Sequence, residues 1–547
     1  MSSAKSKSKI IPEERLKDPS KLRPEDLAIP EEVQVTRLVD EWLMPLPFIK
    51  PEEEPKPKPP PESWRKEMLN LLLDGFANFP ILRPKSKEEE QEIVRKFIEG
   101  IKKLFSIPDN WTQIKPLILT VEYCARCQTC AEVCQIFISA GKRHEYLRPT
   151  FKTEILRMLY EKYVKGKKNV PIEANIYLIA RLYELAYRCT VCRRCFQFCP
   201  LGLDQGIVTR ELRKLFSQQF GWAPKELHEL GTVQQLRVGS STGTSPKAML
   251  QMVKWMEEDI KEKTGKRIRI PVDEKGADIL IIHNYGEFLS WPENPEAFAI
   301  IFEEAGISWT LASIPPGYDA VNYGLYYDDV QLAKIAMAHL EVARKLEVKK
   351  VIIGECGHAH RALIQLADRV LPDDLKDIPR ESCMPLLAEL VEKGKLNLDP
   401  EKNNFPVTLH DPCNMVRMMG IVEPQRRILR KICPLFREME PHGVKNFCCG
   451  AGGAFAIMYG YNFPDWKYKV AGRMKVKQTL EAFKDCIDPK IPKYLCAPCS
   501  NCKGMIRDTF TYYNIWERFR ILYGGLVELI VNAMVDIEKP FIEWEWR

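Results

Sequence analysis

The chain has 547 residues with 81 basic and 74 acidic side chains, a formal charge of +7, and 45% hydrophobic residues. That length and apolar content exclude global disorder and allow several domains with their own cores. A charge so mild over such a length excludes a dedicated nucleic-acid binder with a concentrated basic stripe. The 18 cysteines are more informative: none precedes position 124, and eight fall between 124 and 199.

The start, MSSAKSKSKIIPEE, shows neither an apolar h-region nor a cleavage site, so an exported disulfide scaffold is not expected. No uninterrupted apolar run reaches membrane-spanning length. The best candidate, 521–535, is broken by Glu528 and Asn532 and is expected to be a buried or amphipathic helix. In a reducing cytoplasm, clustered cysteines act as thiolate ligands or redox groups.

Residues 1–62 hold 12 of the 40 prolines and end in KPEEEPKPKPPPE. Proline this dense fixes φ and removes amide donors, which predicts an extended arm lying over a partner or over the protein itself. A helical lead-in is expected over 63–115, from Met68, Leu71 and Leu72 and then Ile93, Val94, Phe97, Ile98 and Ile101 at three- and four-residue steps. Residues 116–238 contain the first eight cysteines and two helical stretches, 150–163 and 174–187.

After a Gly/Ser-rich passage at 239–245, strand-like and helical runs alternate. Strands are expected at 277–282 and 348–353 and helices at 295–305 and 329–346, an α/β layer with parallel strands. The pattern restarts at 405–409. His283-Asn284 aligns with His410-Asp411, Pro315-Pro316-Gly317 with Cys448-Cys449-Gly450, and the turn 353–359 with 496–502. Residues 276–400 and 401–547 therefore read as two copies of one α/β unit, the second with a C-terminal helix and the first stripped of most cysteines.

Cys124-x2-Cys127-x2-Cys130-x3-Cys134 and Cys189-x2-Cys192-x2-Cys195-x3-Cys199-Pro200 repeat one spacing. Three thiolates within seven residues wrap one face of an iron–sulfur cube while the fourth reaches the other cube. One cubane [4Fe–4S] cluster then takes Cys124, Cys127, Cys130 and Cys199, and the other Cys189, Cys192, Cys195 and Cys134. Zinc is the rival, although zinc sites need only two close pairs. Gln135 stands where proline follows the second run. With its long helical insert, the cassette resembles the helical ferredoxin module of respiratory iron–sulfur subunits.

A second set comprises His410-Asp411-Pro412-Cys413, Cys448-Cys449-Gly450-Ala-Gly452-Gly453 and Cys499-x2-Cys502. These elements, in this order, resemble the CCG domain of heterodisulfide reductase catalytic subunits and of glycolate and lactate oxidase iron–sulfur subunits. The resemblance implies a catalytic noncubane [4Fe–4S] cluster on Cys413, Cys448, Cys449, Cys499 and Cys502. Cys496 also forms a CxxC with Cys499, but it continues a strand. Glycines 450, 452 and 453 are expected to let amides approach the sulfurs.

The first unit keeps Cys356, followed by His358 and His360. It is either a packed cysteine with surface or hydrogen-bonding histidines, or a ligand to a further cofactor facing the catalytic cluster. Cys383, Cys433 and Cys486 lack partners in pattern and read as structural. Arg417, Arg426 and Arg427 either steer an anionic substrate or solvate a helix.

The fold class expected is α+β multidomain, a helical two-cluster ferredoxin module followed by two α/β CCG repeats, the first degenerate. One ferredoxin module with one intact and one degenerate CCG unit resembles the DsrK group, heterodisulfide-reductase-like subunits of the membrane complex associated with dissimilatory sulfite reduction. That resemblance implies a membrane cytochrome b partner, other respiratory subunits and quinol-derived electrons. It also implies a small sulfur-carrier protein (DsrC type) whose disulfide or trisulfide is reduced, and a cytoplasmic location on the inner face of the membrane. An electron-transfer subunit of a glycolate or lactate oxidase, and a thiol-coenzyme heterodisulfide reductase, remain alternatives.

Overall fold

The structure, a computed structural model, describes residues 18–29, 35–56, 84–458 and 466–546. Met68, Leu71 and Leu72 of the expected lead-in lie outside the described residues.

In the proline-dense segment, Pro24 and Pro51 open short 3-10 turns, Pro24–Ala28 and Pro51–Glu53, where a missing amide costs nothing. Its described parts lie over the protein itself. Leu22, Leu27, Val35, Leu46 and Ile49 are buried in the core. Arg181 donates to the Leu27 and Ile29 carbonyls at 2.8 and 3.0 Å, and Arg473 holds Glu54 through both terminal nitrogens at 2.7 and 2.5 Å.

The helix Lys87–Leu104 begins where the Ser86 hydroxyl accepts the Glu89 amide at 3.2 Å. Three glutamates in its first turn and two lysines in its last complement the helix dipole. It buries Phe97, Ile101 and Leu104 against a helical module made of Ile114–Tyr123, Pro149–Leu159, Ile176–Tyr187 and Gln205–Phe220. Helix Ile176–Tyr187 is buried all round, including Glu184, whose charge is matched by Arg188 at 2.7 Å. Such a pair is costly to break from one side.

Two four-stranded sheets follow. The first has strands β1 (Ile279–Ile282), β2 (Trp309–Thr310), β3 (Lys350–Ile353) and β4 (Arg380–Ser382) in the order β2-β1-β3-β4. The second has β5 (Val407–Leu409), β6 (Phe436–Arg437), β7 (Lys493–Cys496) and β8 (Ile521–Gly524) in the order β6-β5-β7-β8. All pairings are parallel. The inner strands are largely apolar and almost wholly buried because helices cover both faces. Helices Glu293–Glu304 and Asp329–Lys345 lie where the alternation of the first unit predicted them. The two sheets share one topology, so His283 and His410 both follow the first strand of their unit, and Cys356 and Cys499 occupy equivalent turns after β3 and β7.

One expectation fails. Residues 521–535 are not a single helix: β8 ends at Gly524, Gly525 caps, and the helix Leu526–Asn532 follows. A Cβ on Gly524 would lie 2.0 Å from Tyr494 Oη and 2.3 Å from Glu528 Oε2, so the glycine leaves room for that buried pair where the strand ends. Among the described residues, no helix is long and apolar enough to cross a membrane.

Candidate iron–sulfur and disulfide site

The two cysteine runs fold alike. Arg126 and Gln128 in the first, and Val191 and Arg193 in the second, all have φ between 49° and 64°. Non-glycine residues adopt this left-handed conformation at a cost, which is greatest for β-branched Val191. The strain curls each run around its thiols, and a single helical turn, Thr129–Glu132 or Arg194–Gln197, then presents Cys130 or Cys195.

The sulfurs group across the runs. Burial, with Cys134, Cys124, Cys127 and Cys199 adding their charge, pushes the Cys130 thiol up to about 12. Burial likewise pushes Cys134 up to about 12, and its sulfur neighbours are Cys189 and Cys192. Cys134, Cys189, Cys192 and Cys195 line one enclosed cavity of about 40 Å³. Cys130 is buried, Cys127 exposed and the other six half-buried; thiolates crowded in this way need a shared cationic core, so these all-sulfur sets fit iron–sulfur groups.

The second sulfur group lies at the C-terminal ends of β5 and β7. Cys413 begins the helix Cys413–Met419, Cys499 caps the helix Ser500–Tyr512, and Cys502 sits in that helix's first turn. Cys413 Sγ is 3.9 Å from Cys448 Sγ, and Cys449 Sγ is 3.1 Å from Cys502 Sγ. His410 Nε2 is 3.3 Å from Cys502 Sγ, and the donor atoms of His410, Cys449 and Cys502 lie within 4.8 Å of one another. All five cysteines are buried and belong to one core, whereas Cys496 packs in the other, together with Cys383 and Cys433.

The glycines divide their work. Gly450 and Ala451 amides donate to Cys448 and Cys449 sulfurs at 3.3 and 3.4 Å. Gly452 and Gly453 do not serve the sulfurs; they bring the loop onto the Cys189 turn. A Cβ on Gly452 would meet the Thr190 carbonyl oxygen at 2.2 Å, and one on Gly453 the Cys189 carbonyl oxygen at 2.6 Å. Arg213 locks this contact, donating to the Gly453 and Cys189 carbonyls at 3.1 and 2.7 Å. The Cys448 and Cys192 thiols are neighbours, each shifting the other's acidity. The ferredoxin-type set and the CCG set thus abut.

Two arginines prove to be fasteners. Arg417 is buried and donates to the Cys192 and Val444 carbonyls at 2.8 and 2.9 Å. Arg426 is buried between Asp411 and Glu438, at 2.6 and 2.8 Å. Neither steers a substrate nor solvates a helix. Arg427 is exposed and pairs with Glu392 at 3.3 Å.

Cys356 is buried, and so are its histidines, contrary to a surface placement. His358 Nδ1 lies 3.3 Å from Cys356 Sγ and its Nε2 accepts the Asn322 amide at 3.4 Å. His360 is spent on the Cys356 carbonyl and the Ser382 hydroxyl at 2.9 and 2.8 Å. The two units meet turn to turn here: the Gly357 amide donates to Cys499 Sγ at 3.2 Å, and Asn284 Nδ2 to Ser500 Oγ at 3.0 Å. Beside this junction opens a cleft of about 260 Å³ whose walls include Asn284, Trp291, Tyr323, Ser500, Asn501 and Arg507.

Buried charge surrounds the sulfurs at positions no motif marks. Lys475 Nζ is 3.1 Å from Asn446 Oδ1. Burial pushes its ammonium down to about 8, against the pull of Cys449, Asp411, Cys448 and Cys502. Lys503 is 3.1 Å from Glu287 and 3.8 Å from Glu528. Glu355, pushed up to about 7 by burial, accepts the Leu526 and Val527 amides at 2.9 and 3.2 Å and so rivets the first unit to the second. Gln135 was visible only as a missing proline. Its Oε1 accepts the Cys448 amide at 2.7 Å.

Comparison with known proteins agrees with this geometry. Residues 120–203 match the family model of a 4Fe-4S dicluster domain, and residues 407–507 that of a cysteine-rich domain. The Hdr-like menaquinol oxidoreductase iron–sulfur subunit 2 of Archaeoglobus fulgidus is 25% identical over 94% of this chain and 96% of its own. The Hdr-like menaquinol oxidoreductase iron–sulfur subunit of Archaeoglobus profundus is 24% identical over 87% and 94%. One subunit of the dihydromethanophenazine:CoB–CoM heterodisulfide reductase of Methanosarcina barkeri is 24% identical over 76% and 95%. The chain is thus an iron–sulfur protein that places a 4Fe-4S dicluster domain ahead of a cysteine-rich domain, similar over most of its length to oxidoreductase subunits of the heterodisulfide-reductase type.

Proposed function

We propose that the protein is the catalytic iron–sulfur subunit of a membrane-associated respiratory complex of the DsrK group, which reduces a disulfide or trisulfide on a small sulfur-carrier protein of the DsrC type. For a disulfide the balance is RS–SR′ + 2 e⁻ + 2 H⁺ → RSH + R′SH: one S–S bond breaks, each sulfur gains an electron and a proton, and two thiols leave. Cys124, Cys127, Cys130 and Cys199 would hold one cubane [4Fe–4S] cluster, and Cys189, Cys192, Cys195 and Cys134 the other. Cys413, Cys448, Cys449, Cys499 and Cys502 would hold a noncubane cluster. When bound, these groups supply the one-electron carriers that a two-electron cleavage requires.

The chain's own residues do the rest. Asn284, Ser500, Asn501 and Arg507 orient the sulfur-bearing segment in the cleft, and Trp291 and Tyr323 exclude water from it. Lys475 places a buried positive charge beside the Cys448–Cys449 pair. A membrane cytochrome b subunit would deliver quinol-derived electrons, with the protein peripheral on the inner, cytoplasmic face of the membrane. The Archaeoglobus relatives are both menaquinol oxidoreductase subunits, which supports a quinol source.

The observation that carries the reading is the junction of the dicluster domain with the CCG loop: Gln135 accepts the Cys448 amide, Gly452 packs on the Thr190 carbonyl, and Ser500, next to Cys499, lines an open cleft. The test is electron paramagnetic resonance of the oxidised protein with and without a thiol product. A new or shifted signal is expected, and an unchanged spectrum overturns direct disulfide chemistry. Cys499→Ser should lose about four of about twelve irons, whereas Cys496→Ser should keep them. Flavin-dependent hydroxy-acid oxidation by the purified assembly, without disulfide reduction, would favour the oxidase-type relay instead.

A further inference from the structure

Three buried arginines join the dicluster cysteine runs to the CCG loop, and each bridges the two in the same way. Arg194 donates to the Val133 carbonyl, one residue before Cys134, and to the Lys445 carbonyl at 2.8 Å. Arg417 donates to the Cys192 carbonyl at 2.8 Å and to the Val444 carbonyl at 2.9 Å, with the Asn446 carbonyl as its third acceptor. Arg213 donates to the Cys189 carbonyl at 2.7 Å and to the Gly453 carbonyl at 3.1 Å. On one side the acceptors belong to Cys189, Cys192 and the neighbour of Cys134; on the other they flank Cys448 and Cys449. Arg194 also lies over the Phe447 and Phe198 rings, 4.0 and 4.8 Å from their centroids.

The three are alike in charge as well. All are buried, Arg213 wholly, and among the described residues none forms an ion pair with a carboxylate. Asp204, whose charge reaches Cys195, is held by Arg193, and Asp411 is held by Arg426 at 2.6 Å. Carbonyls satisfy the N–H groups but carry no net charge, and a guanidinium kept from water without an opposite charge is unfavourable. The negative groups at hand are thiolates: Cys192 and Cys134 act on Arg194, Cys189 together with Tyr187 acts on Arg213, and Arg417 acts on Cys192. The outer set (Cys124, Cys127, Cys130, Cys199) is treated differently. Cys127 is exposed, and the cations beside that run, Arg126 and Arg157, are both matched by Glu154, at 2.7 and 2.9 Å.

We propose that Arg194, Arg213 and Arg417 form a positive seam that raises the reduction potentials of the two sulfur sets it joins, the inner set (Cys134, Cys189, Cys192, Cys195) and the CCG set, above that of the outer set, and so draws electrons inward. Each one-electron reduction adds one negative charge to a set and moves no proton. A fixed cation in surroundings of low dielectric favours the more negative state, and net charge is one of the levers on such potentials. The electrons enter at the outer set from the quinol-derived supply and leave with the cleaved disulfide, while the arginines stay chemically unchanged. They touch carbonyls rather than substrate and are positioning residues. The seam presupposes the ligand sets assigned above and holds for any sulfur substrate.

The test is a potentiometric titration of the full-length, cluster-loaded protein, followed by electron paramagnetic resonance. Cys127→Ser, which alters the outer set alone, assigns the outer wave. Arg194→Gln keeps a donor and removes the charge. The inner potential should fall by at least about 59 mV, a tenfold change in a one-electron equilibrium, with the outer wave unmoved. Arg194→Lys should restore the potential although it loses the two-carbonyl bridge. An arginine that only fastens the domains would do the reverse, losing stability in both variants and moving the potential in neither. Arg417→Gln should lower the inner and CCG potentials together, and it carries the test if Arg194→Gln fails to load iron. The proposal is overturned by an inner potential unmoved in both glutamine variants, by equal shifts of the inner and outer waves, or by an outer potential above the inner one in the native protein. A loaded protein without two cubane signals would instead overturn the ligand assignment, and the seam with it.

Discussion

Gln135 and Cys448 are 313 residues apart, yet the glutamine's Oε1 accepts the cysteine's amide at 2.7 Å while its Nε2 donates to the Ala471 carbonyl at 3.2 Å. One side chain from the first cysteine run thereby clamps both sides of the double-cysteine turn. Replacing it with leucine leaves a buried amide unsatisfied. Gln135→Leu should cost about 1–3 kcal/mol in denaturant unfolding and broaden the resonance signal of the CCG centre. Unaltered stability and spectrum would show the clamp to be idle.

Gly452 allows the other half of that contact. Because a Cβ there would meet a backbone oxygen at 2.2 Å, Gly452→Ala must push the loop off the Cys189 turn. Rapid-freeze spectroscopy should show electron delivery to the CCG centre slowed, and about 1–3 kcal/mol of stability should be lost. Gly202→Ala is the control for backbone cost. Gly202, unlike Gly452, has positive φ, and nothing lies within 4 Å of its added methyl, so only the cost of that conformation is expected.

Lys475 is a buried cation that feels the Cys449 and Cys448 sulfurs, and among the described residues no carboxylate forms an ion pair with it. Lys475→Met removes it without removing bulk. A reduced centre carries one more negative charge, so the midpoint potential should fall, by roughly 60 mV for each tenfold change in a one-electron equilibrium. A potentiometric titration followed by electron paramagnetic resonance reads this. A potential that stays put would mean that Lys475 is neutral in the folded protein.

Glu296 supplies a pH signature remote from any cysteine. Both its oxygens are buried without a hydrogen bond, and its Lys263 neighbour, 3.5 Å away, is held more closely by Asp259 at 2.6 Å. Burial pushes the carboxyl up to about 8. Between the ordinary glutamate range and that value, the folded state keeps a proton that the unfolded state releases. Stability should therefore fall as pH rises, by up to about 1.4 kcal/mol per unit between roughly pH 5 and 8. Glu296→Gln should flatten this slope and raise the urea midpoint at pH 8. Parallel pH profiles for the two proteins would refute the assignment.

What the sequence disclosed and what it hid follow the range of the interactions. The two cysteine runs were legible because ligand spacing is local, and the inner strands because residues such as 279–282 and 350–353 are short apolar runs bounded by turns. In the stretch 521–535, Glu528 and Asn532 interrupt an apolar run that reads as one helix, while Gly524 and Gly525 mark the true break between strand and helix. The burial of His358 and the fastening role of Arg417 had no local sign. The charge of Arg417 suggests a solvent-facing or substrate-steering side chain, but its work is to reach carbonyls of Cys192 and Val444 that only the fold brings near. Gln135 left a faint trace, an absent proline, whose meaning depended on a loop three hundred residues away.

The arm fastens at two places: Leu27 and Ile29 to Arg181 in the helical module, Glu53 and Glu54 to Arg518 and Arg473 in the last α/β unit. Leu27 and Ile29 can latch as soon as Arg181 is in place, whereas Glu53 and Glu54 must wait for partners more than four hundred residues further along, so the strap closes in two steps.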